Sequence, residues 1–159
     1  MKKGVTKDRM RLMALDIGDR RIGVALSDPG QVLARGLQVL HCRSRERDMA
    51  VIASLAKEHE VEKIVVGYPR RLDGTVGEQA RKVEAYAAEL QEVVKIPVIL
   101  WDERLSTIRA QRAMIEAGRK RRERKERLDA VAAAVILQDY LDSLRWKSEG
   151  GNSWTEKTS

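Results

Sequence analysis

The chain holds a single cysteine, Cys42, so it closes no internal disulfide and offers no cysteine cluster for zinc. Histidine is nearly as scarce. His41 and His59 are the only two, and their separation matches no metal-ligand spacing. No apolar stretch approaches the roughly 18–20 residues of a membrane-spanning helix. The basic segment Met1 to Arg11 leads into no signal-type apolar run with a small-residue cleavage site. The expectation is a cytoplasmic protein in a reducing compartment, with no membrane partner. The Walker loop, GxGxxG, HExxH and GxSxG are all absent, which removes the commonest phosphate-loop, dinucleotide, zinc-protease and serine-hydrolase chemistries.

What is present is charge of one sign. The 159 residues carry 31 Lys and Arg against 24 Asp and Glu, a net charge of +7. That excess favours an anionic partner, with nucleic acid the first candidate and a solvated basic surface the plain alternative. The length fits one domain with a real core. Residues 1–10 read as a flexible start, 11–145 as the folded domain and 146–159 as a Ser/Gly/Thr-rich flexible tail.

Apolar runs bounded by turn residues predict strands at Leu12 to Ile17, Ile22 to Ser27, Leu37 to Leu40, Lys63 to Val66 and Ile96 to Trp101. Helical periodicity predicts helices over about 46–60 and 78–94, a third running from a Ser106 cap to Gly118, and a fourth over about 127–145. The order β-β-β-α-β-α-β-α-α implies an α/β fold with a mixed sheet: a three-strand antiparallel meander followed by βαβ units, flanked by helices.

Carboxylates stand at telling places in this order. Asp16 ends the first apolar run, where an unpaired charge is costly unless it meets a metal, a partner or the N–H groups of the Gly18 turn. Asp102 and Glu103 follow the last strand. On a continuous strand they point to opposite faces, so only one can join Asp16, and the sequence leaves open which. Asp129 opens the last helix. Ala133, Ile136 and Tyr140 lie four, seven and eleven residues on, which sets Asp129 on the core stripe; a helix-dipole role is the alternative. Asp139 and Asp142 sit off that stripe and read as solvated. Three acids from three segments of a basic protein suggest a site for Mg2+ or Mn2+, which take oxygen ligands and substrate phosphate together.

Basic and polar residues surround these acids. Arg20, Arg21 and Arg104 are placed to hold phosphates or to neutralise the carboxylates. Ser106 and Thr107 follow, with capping an equal role for Ser106. The run Arg119 to Arg127, with seven basic residues and two glutamates, reads as a basic loop between two helices, so Arg119, Arg121, Arg122, Arg124 and Lys125 are candidate nucleic-acid contacts. Tyr68, in Gly67-Tyr68-Pro69, either stacks on a base or packs on its loop. Trp101 reads as core.

The segments ALDIGDRRIGVALSD, VVGYPRRLDG, WDERLST and LDAVAAAVILQDYL, together spanning about residues 11 to 142, resemble in content and order the YqgF (RuvX) family. Members are described as pre-16S rRNA nucleases or Holliday junction resolvases. The resemblance implies an RNase H-like fold with a five-stranded mixed sheet and a two-metal nuclease centre. Carried over by position, that centre is Asp16, Glu103 and Asp129, with Asp102 in reserve, and Arg21 and Arg104 match family arginines. It implies RNA as substrate, specifically the 5′ end of precursor 16S rRNA within a small-subunit precursor, by a monomer or homodimer. Structured DNA cut as a Holliday junction, and a non-catalytic RNA-binding role in ribosome assembly, are the alternatives. Asp-x-Gly after a first strand also opens the phosphate loop of actin-like ATPases, but those need two such domains, more than this chain supplies.

Overall fold

The computed structural model describes residues 10–69, 73–102 and 121–148, with side chains described over 130–145 of the last segment. Five strands form one sheet: β1 (Arg11–Ile17), β2 (Arg21–Ser27), β3 (Ala34–His41), β4 (Val61–Tyr68) and β5 (Val98–Asp102). Their order is β3-β2-β1-β4-β5, with β1, β2 and β3 antiparallel in turn and β1, β4 and β5 parallel. Helices α1 (Arg45–Glu58), α2 (Glu78–Val93) and α3 (Arg121–Ser148) complete the described chain. The mixed sheet is the one expected.

β1 is central and is apolar on both sides because both sides are covered. Met13 and Leu15 join Ile22, Val24, Ile64 and Val66 under α1 and α2, whose Ile52, Ala80, Val83 and Leu90 close that layer. Leu12 and Ala14 join Ala25 and Val65 on the opposite face, under Ala133, Ile136, Leu137 and Leu141 of α3. Each such buried aliphatic side chain contributes about 1.5–3 kcal/mol relative to exposure. α1 begins at Ser44, whose Oγ accepts the Arg47 N–H at 3.1 Å, a cap of about 1 kcal/mol.

α3 is held on the sheet at two points along its middle. At the first, Ala130 lies on Gly36 of β3, where a Cβ would stand 3.1 Å from the Ala130 Cβ and 3.3 Å from its carbonyl oxygen. Two turns on, the Gln138 side chain clamps β3: Oε1 accepts the Ala34 N–H and Nε2 donates to the Val32 carbonyl, both at 2.9 Å. The helix therefore runs back along β3, antiparallel to β1, and its N-terminal turns lie at the end of β1 that carries Asp16. Further along, the Lys63 Nζ donates to the Tyr140 hydroxyl at 3.0 Å, and Trp101 meets Tyr140 edge-on at 5.4 Å between centroids.

Three details depart from the sequence reading. The last helix begins at Arg121 and reaches Ser148, so the basic run from Arg121 onward is helix and not loop, and Asp129 is its ninth residue and does not open it, which removes the helix-dipole alternative. Arg, Lys and Glu are good helix formers, and no Gly or Pro interrupts them. β4 continues through Tyr68 and buries it to 9% exposure, its hydroxyl bonded to Glu84 of α2, which answers the stacking alternative in favour of packing. Asp139 is half-buried with Oδ2 enclosed, not solvated, whereas Asp142 is exposed and accepts from Gln138 Nε2. The predicted helix from Ser106 to Gly118 lies outside the described residues.

Candidate active site at the end of the central strand

Asp16 is the next-to-last residue of β1 and is half-buried. Its side follows from alternation: Leu12 and Ala14 face α3, so Asp16 does too. Across β2 it pairs with Gly23. Across β4 the paired register runs to Leu15 with Val66, and the residues that follow are Asp16 and Gly67. Gly67 in turn pairs with Trp101 of β5. The row beneath this end of α3 thus reads Gly23, Asp16, Gly67, Trp101. Two glycines flank the carboxylate and raise no side-chain walls beside it, which leaves room for a ligand backbone.

Arg21 falls on the same side. Ile22, Val24 and Leu26 pack under α1 and α2, while Ala25 packs under α3, so Arg21 and Gly23 share the α3 face with Asp16. Arg20 is exposed in the turn that joins β1 to β2. That turn is tight: the Gly18 N–H donates to the Arg21 carbonyl at 3.0 Å, and a Cβ on Gly18 would stand 2.8 Å from the same oxygen. The Arg20 carbonyl accepts the Cys42 N–H at 2.8 Å, tying the turn to the end of β3.

Asp102 goes the other way. It pairs with Tyr68, whose ring lies in the layer under α1 and α2. Val98 packs into that layer too, while Ile99 and Trp101 pack under α3. Asp102 therefore sits across the sheet from Asp16, and the choice left open by the sequence turns against it. Glu103, Arg104, Ser106, Thr107 and Arg119 lie outside the described residues. Asp129, Arg121, Arg122, Arg124 and Lys125 are described as helical backbone of α3. Ala133, Ile136 and Tyr140, the residues spaced after Asp129, are all buried against the sheet.

Gly23, Gly67 and Trp101 were not singled out as site residues by their sequence context. Their signal is strand register, which places them in Asp16's row and which no local pattern encodes. Just after β3, burial first, then the neighbouring Asp48 carboxylate, hold the Cys42 thiol above its ordinary value, which disfavours the thiolate. Among the described residues no helix is long and apolar enough to cross a membrane.

Comparison with known proteins places this geometry. The family model described as "RuvX: Holliday junction resolvase" matches residues 10–143. A relative from Desulforamulus reducens, named "Putative pre-16S rRNA nuclease", is 48% identical over 134 residues, covering 84% of this chain and 98% of the relative. One of the same name from Thermoanaerobacter pseudethanolicus is 47% identical over 139 residues, covering 87% and 100%. Among solved structures, T. thermophilus RuvC in complex with a Holliday junction substrate superposes with a TM-score of 0.55 at 14% identity, over 89% of this chain and 96% of that one. The last likeness shows the fold alone, which is RNase H-like. With a family model spanning both Asp16 and the α3 helix, and relatives near half identity over almost their whole length, the chain belongs to the RuvX (YqgF) family of nucleases.

Proposed function

We propose that the chain hydrolyses phosphodiester bonds of precursor 16S rRNA near its 5′ end, using Asp16, Glu103 and Asp129 as a carboxylate set for a divalent ion, Mg2+ or Mn2+. The observation that carries this reading is the position of Asp16: a half-buried acid at the end of the central strand, between two glycines, on the face covered by α3. Its surroundings suit an oxygen-donor set for a hard cation, since the neighbours in its row crowd it with no side chain. The period of two along β5 puts Asp102 on the far side of the sheet from Asp16, which favours Glu103 over Asp102 as the member of that pair in the set. Asp129 belongs to the end of α3 that lies at the same edge, and it directly precedes Ala130, which rests on Gly36. A bound ion would supply Lewis-acid stabilisation and a more acidic water. Arg21, on the same face, orients a non-bridging phosphate oxygen, and the basic first turns of α3 attract the RNA backbone with salt-dependent affinity.

A second reading, cleavage of a DNA four-way junction, uses the same residues and is favoured by the description of the matching family model. One experiment separates the two. Full-length protein is incubated with an end-labelled precursor 16S fragment and, in parallel, with a labelled four-way junction, each with and without Mg2+. The RNA is expected to be cut only with the ion, leaving a 5′ phosphate. Cutting confined to the junction would replace the first reading with the second. RNA cleavage undiminished in Asp16→Asn would refute the carboxylate assignment.

A further inference from the structure

A cavity of about 210 Å3 opens on the other face of the sheet, directly behind the β1–β2 turn. Ile17 and Ile22 form its apolar wall, and the Tyr86 ring from α2 closes it. Its polar lining is unusual in two respects. Asp48 is 3% exposed: both its carboxylate oxygens accept the Arg43 N–H at 3.2 Å, the Arg47 guanidinium reaches Oδ1 at 3.5 Å, and the Cys42 thiol is hydrogen-bonded to the carboxylate, so this acceptor group is buried at the cavity floor. Tyr86 is 6% exposed, and its buried hydroxyl has no hydrogen-bond partner among the described residues, although it lies within electrostatic reach of Asp48, Cys42 and Arg45. A buried hydroxyl left unpaired costs about 1–3 kcal/mol, an expense that a ligand able to bond it would remove. The rim carries cations, each with an acidic partner: Lys82 pairs loosely with Asp19 at 3.7 Å, with both side chains more than half exposed, and the Arg45 guanidinium, 5.3 Å from the Tyr86 ring centroid, pairs with Glu89 at 2.6 Å.

An apolar slot with a flat aromatic wall, an acceptor-rich floor and cations at its mouth fits one planar base with its phosphate outside. The volume is below the roughly 300–1,000 Å3 of clefts for drug-sized ligands. The geometry points to a nucleobase pocket: we propose that it takes a single unstacked guanine of the RNA strand. Guanine presents two adjacent N–H donors, which the Asp48 carboxylate accepts, and a carbonyl oxygen, to which the Tyr86 hydroxyl donates. Uracil has one N–H between two carbonyls and would set an oxygen against the carboxylate. The cavity and Asp16 are separated only by the turn Gly18 to Arg20, so a strand crossing that turn reaches both. This inference rests on the nuclease reading in taking RNA as ligand, but its test needs no cleavage.

Fluorescein-labelled pentaribonucleotides UUGUU, UUAUU, UUCUU and UUUUU are titrated with the full chain and followed by anisotropy without divalent ions. Guanine is expected to bind at least about tenfold more tightly than uracil. Tyr86→Phe, which keeps the ring, should bring the four within about threefold of one another. Equal affinity for all four bases, or a preference that survives Tyr86→Phe, overturns the proposal. So does free guanosine monophosphate competing as well as the pentamer, which would make the pocket a mononucleotide site. A pentamer carrying 6-thioguanosine, cross-linked by light to the wild type and mapped by mass spectrometry, gives a readout independent of any variant. Adducts on the peptides holding Cys42 or Tyr86 are expected, and adducts confined elsewhere contradict it. Failure of cleavage with the base preference intact refutes only the nuclease reading; the reverse refutes only the pocket.

Discussion

Asp16 of β1 and Asp102 of β5, each at the carboxyl end of its strand with β4 between the two, stand on opposite faces of one sheet. Asp16 follows Leu12 and Ala14 under α3, and Asp102 pairs with Tyr68 under α1 and α2. A pleated strand changes sides at every residue, so a side chain on the wrong parity cannot reach a ligand across the sheet. Asp102 therefore cannot join Asp16 on the α3 face while β5 keeps this register.

Gly36 sets how closely α3 approaches. A methyl group there would meet Ala130 at 3.1 Å and its carbonyl at 3.3 Å, so Gly36→Ala must lift the N-terminal end of the helix or bend β3. The expected cost is about 1–3 kcal/mol of stability, read by urea denaturation. RNA cleavage should fall by more than the folded fraction does, because that end of α3 carries Asp129. Gly36→Ala combined with Ala130→Gly should recover part of both losses.

Tyr86→Phe removes a buried hydroxyl that has no partner, so the free protein should be as stable as the wild type or up to about 1 kcal/mol more stable. Alkali sharpens the comparison. Burial first, then the Asp48 carboxylate, raise the Tyr86 pKa well above its ordinary 10.0. The protonated form is the one the fold favours. The contribution is therefore intact below pH 10 and declines as pH climbs above it, toward the folded-state value. Thermal melts between pH 8 and 11 should show the wild type losing ground to Tyr86→Phe only in the upper part of that range.

Asp28 closes the loop between β2 and β3. Its Oδ1 accepts the Val32 N–H at 2.7 Å and the Leu33 N–H at 2.9 Å. Slight burial works to raise its pKa, but the N–H donors of Leu33 and Val32, with those of Asp28 and Gly30, outweigh it and hold the carboxyl below 3.8. A depressed folded pKa gives stability that is present above the unfolded value and is lost as pH falls through the folded one. Asp28→Ala should therefore melt below the wild type at pH 7, and the gap should narrow at pH values under 3.8.

Much of this arrangement is written locally. Apolar runs of strand length, each bounded by Gly, Pro or Asp, fix the five strands. The isolated carboxylate in Leu-Asp-Ile-Gly marks the end of the central one. What local patterns omit is the relation between strands: the side on which Asp102 stands depends on pairing with Tyr68, 34 residues earlier in the chain. Tyr68 itself, between Gly and Pro, has the local signature of a loop, yet β4 runs through it because Glu84 and the α2 layer cover it. The charge run before Asp129 resembles a linker by composition, but composition does not distinguish a solvated loop from a solvated helix, and its Arg, Lys and Glu prefer the latter.

The most direct measurement compares the initial rate of Mg2+-dependent cleavage of a precursor 16S rRNA fragment by the wild type, Asp16→Asn, Asp102→Asn and Glu103→Gln, with folding checked by circular dichroism. Even groups that only support metal ligands cost about 10–100-fold when removed. Asp16→Asn and Glu103→Gln should each lose at least about 100-fold, and Asp102→Asn should stay within about fivefold of the wild type. Loss of activity in Asp102→Asn with Glu103→Gln still active would contradict the assignment of faces on which the account depends.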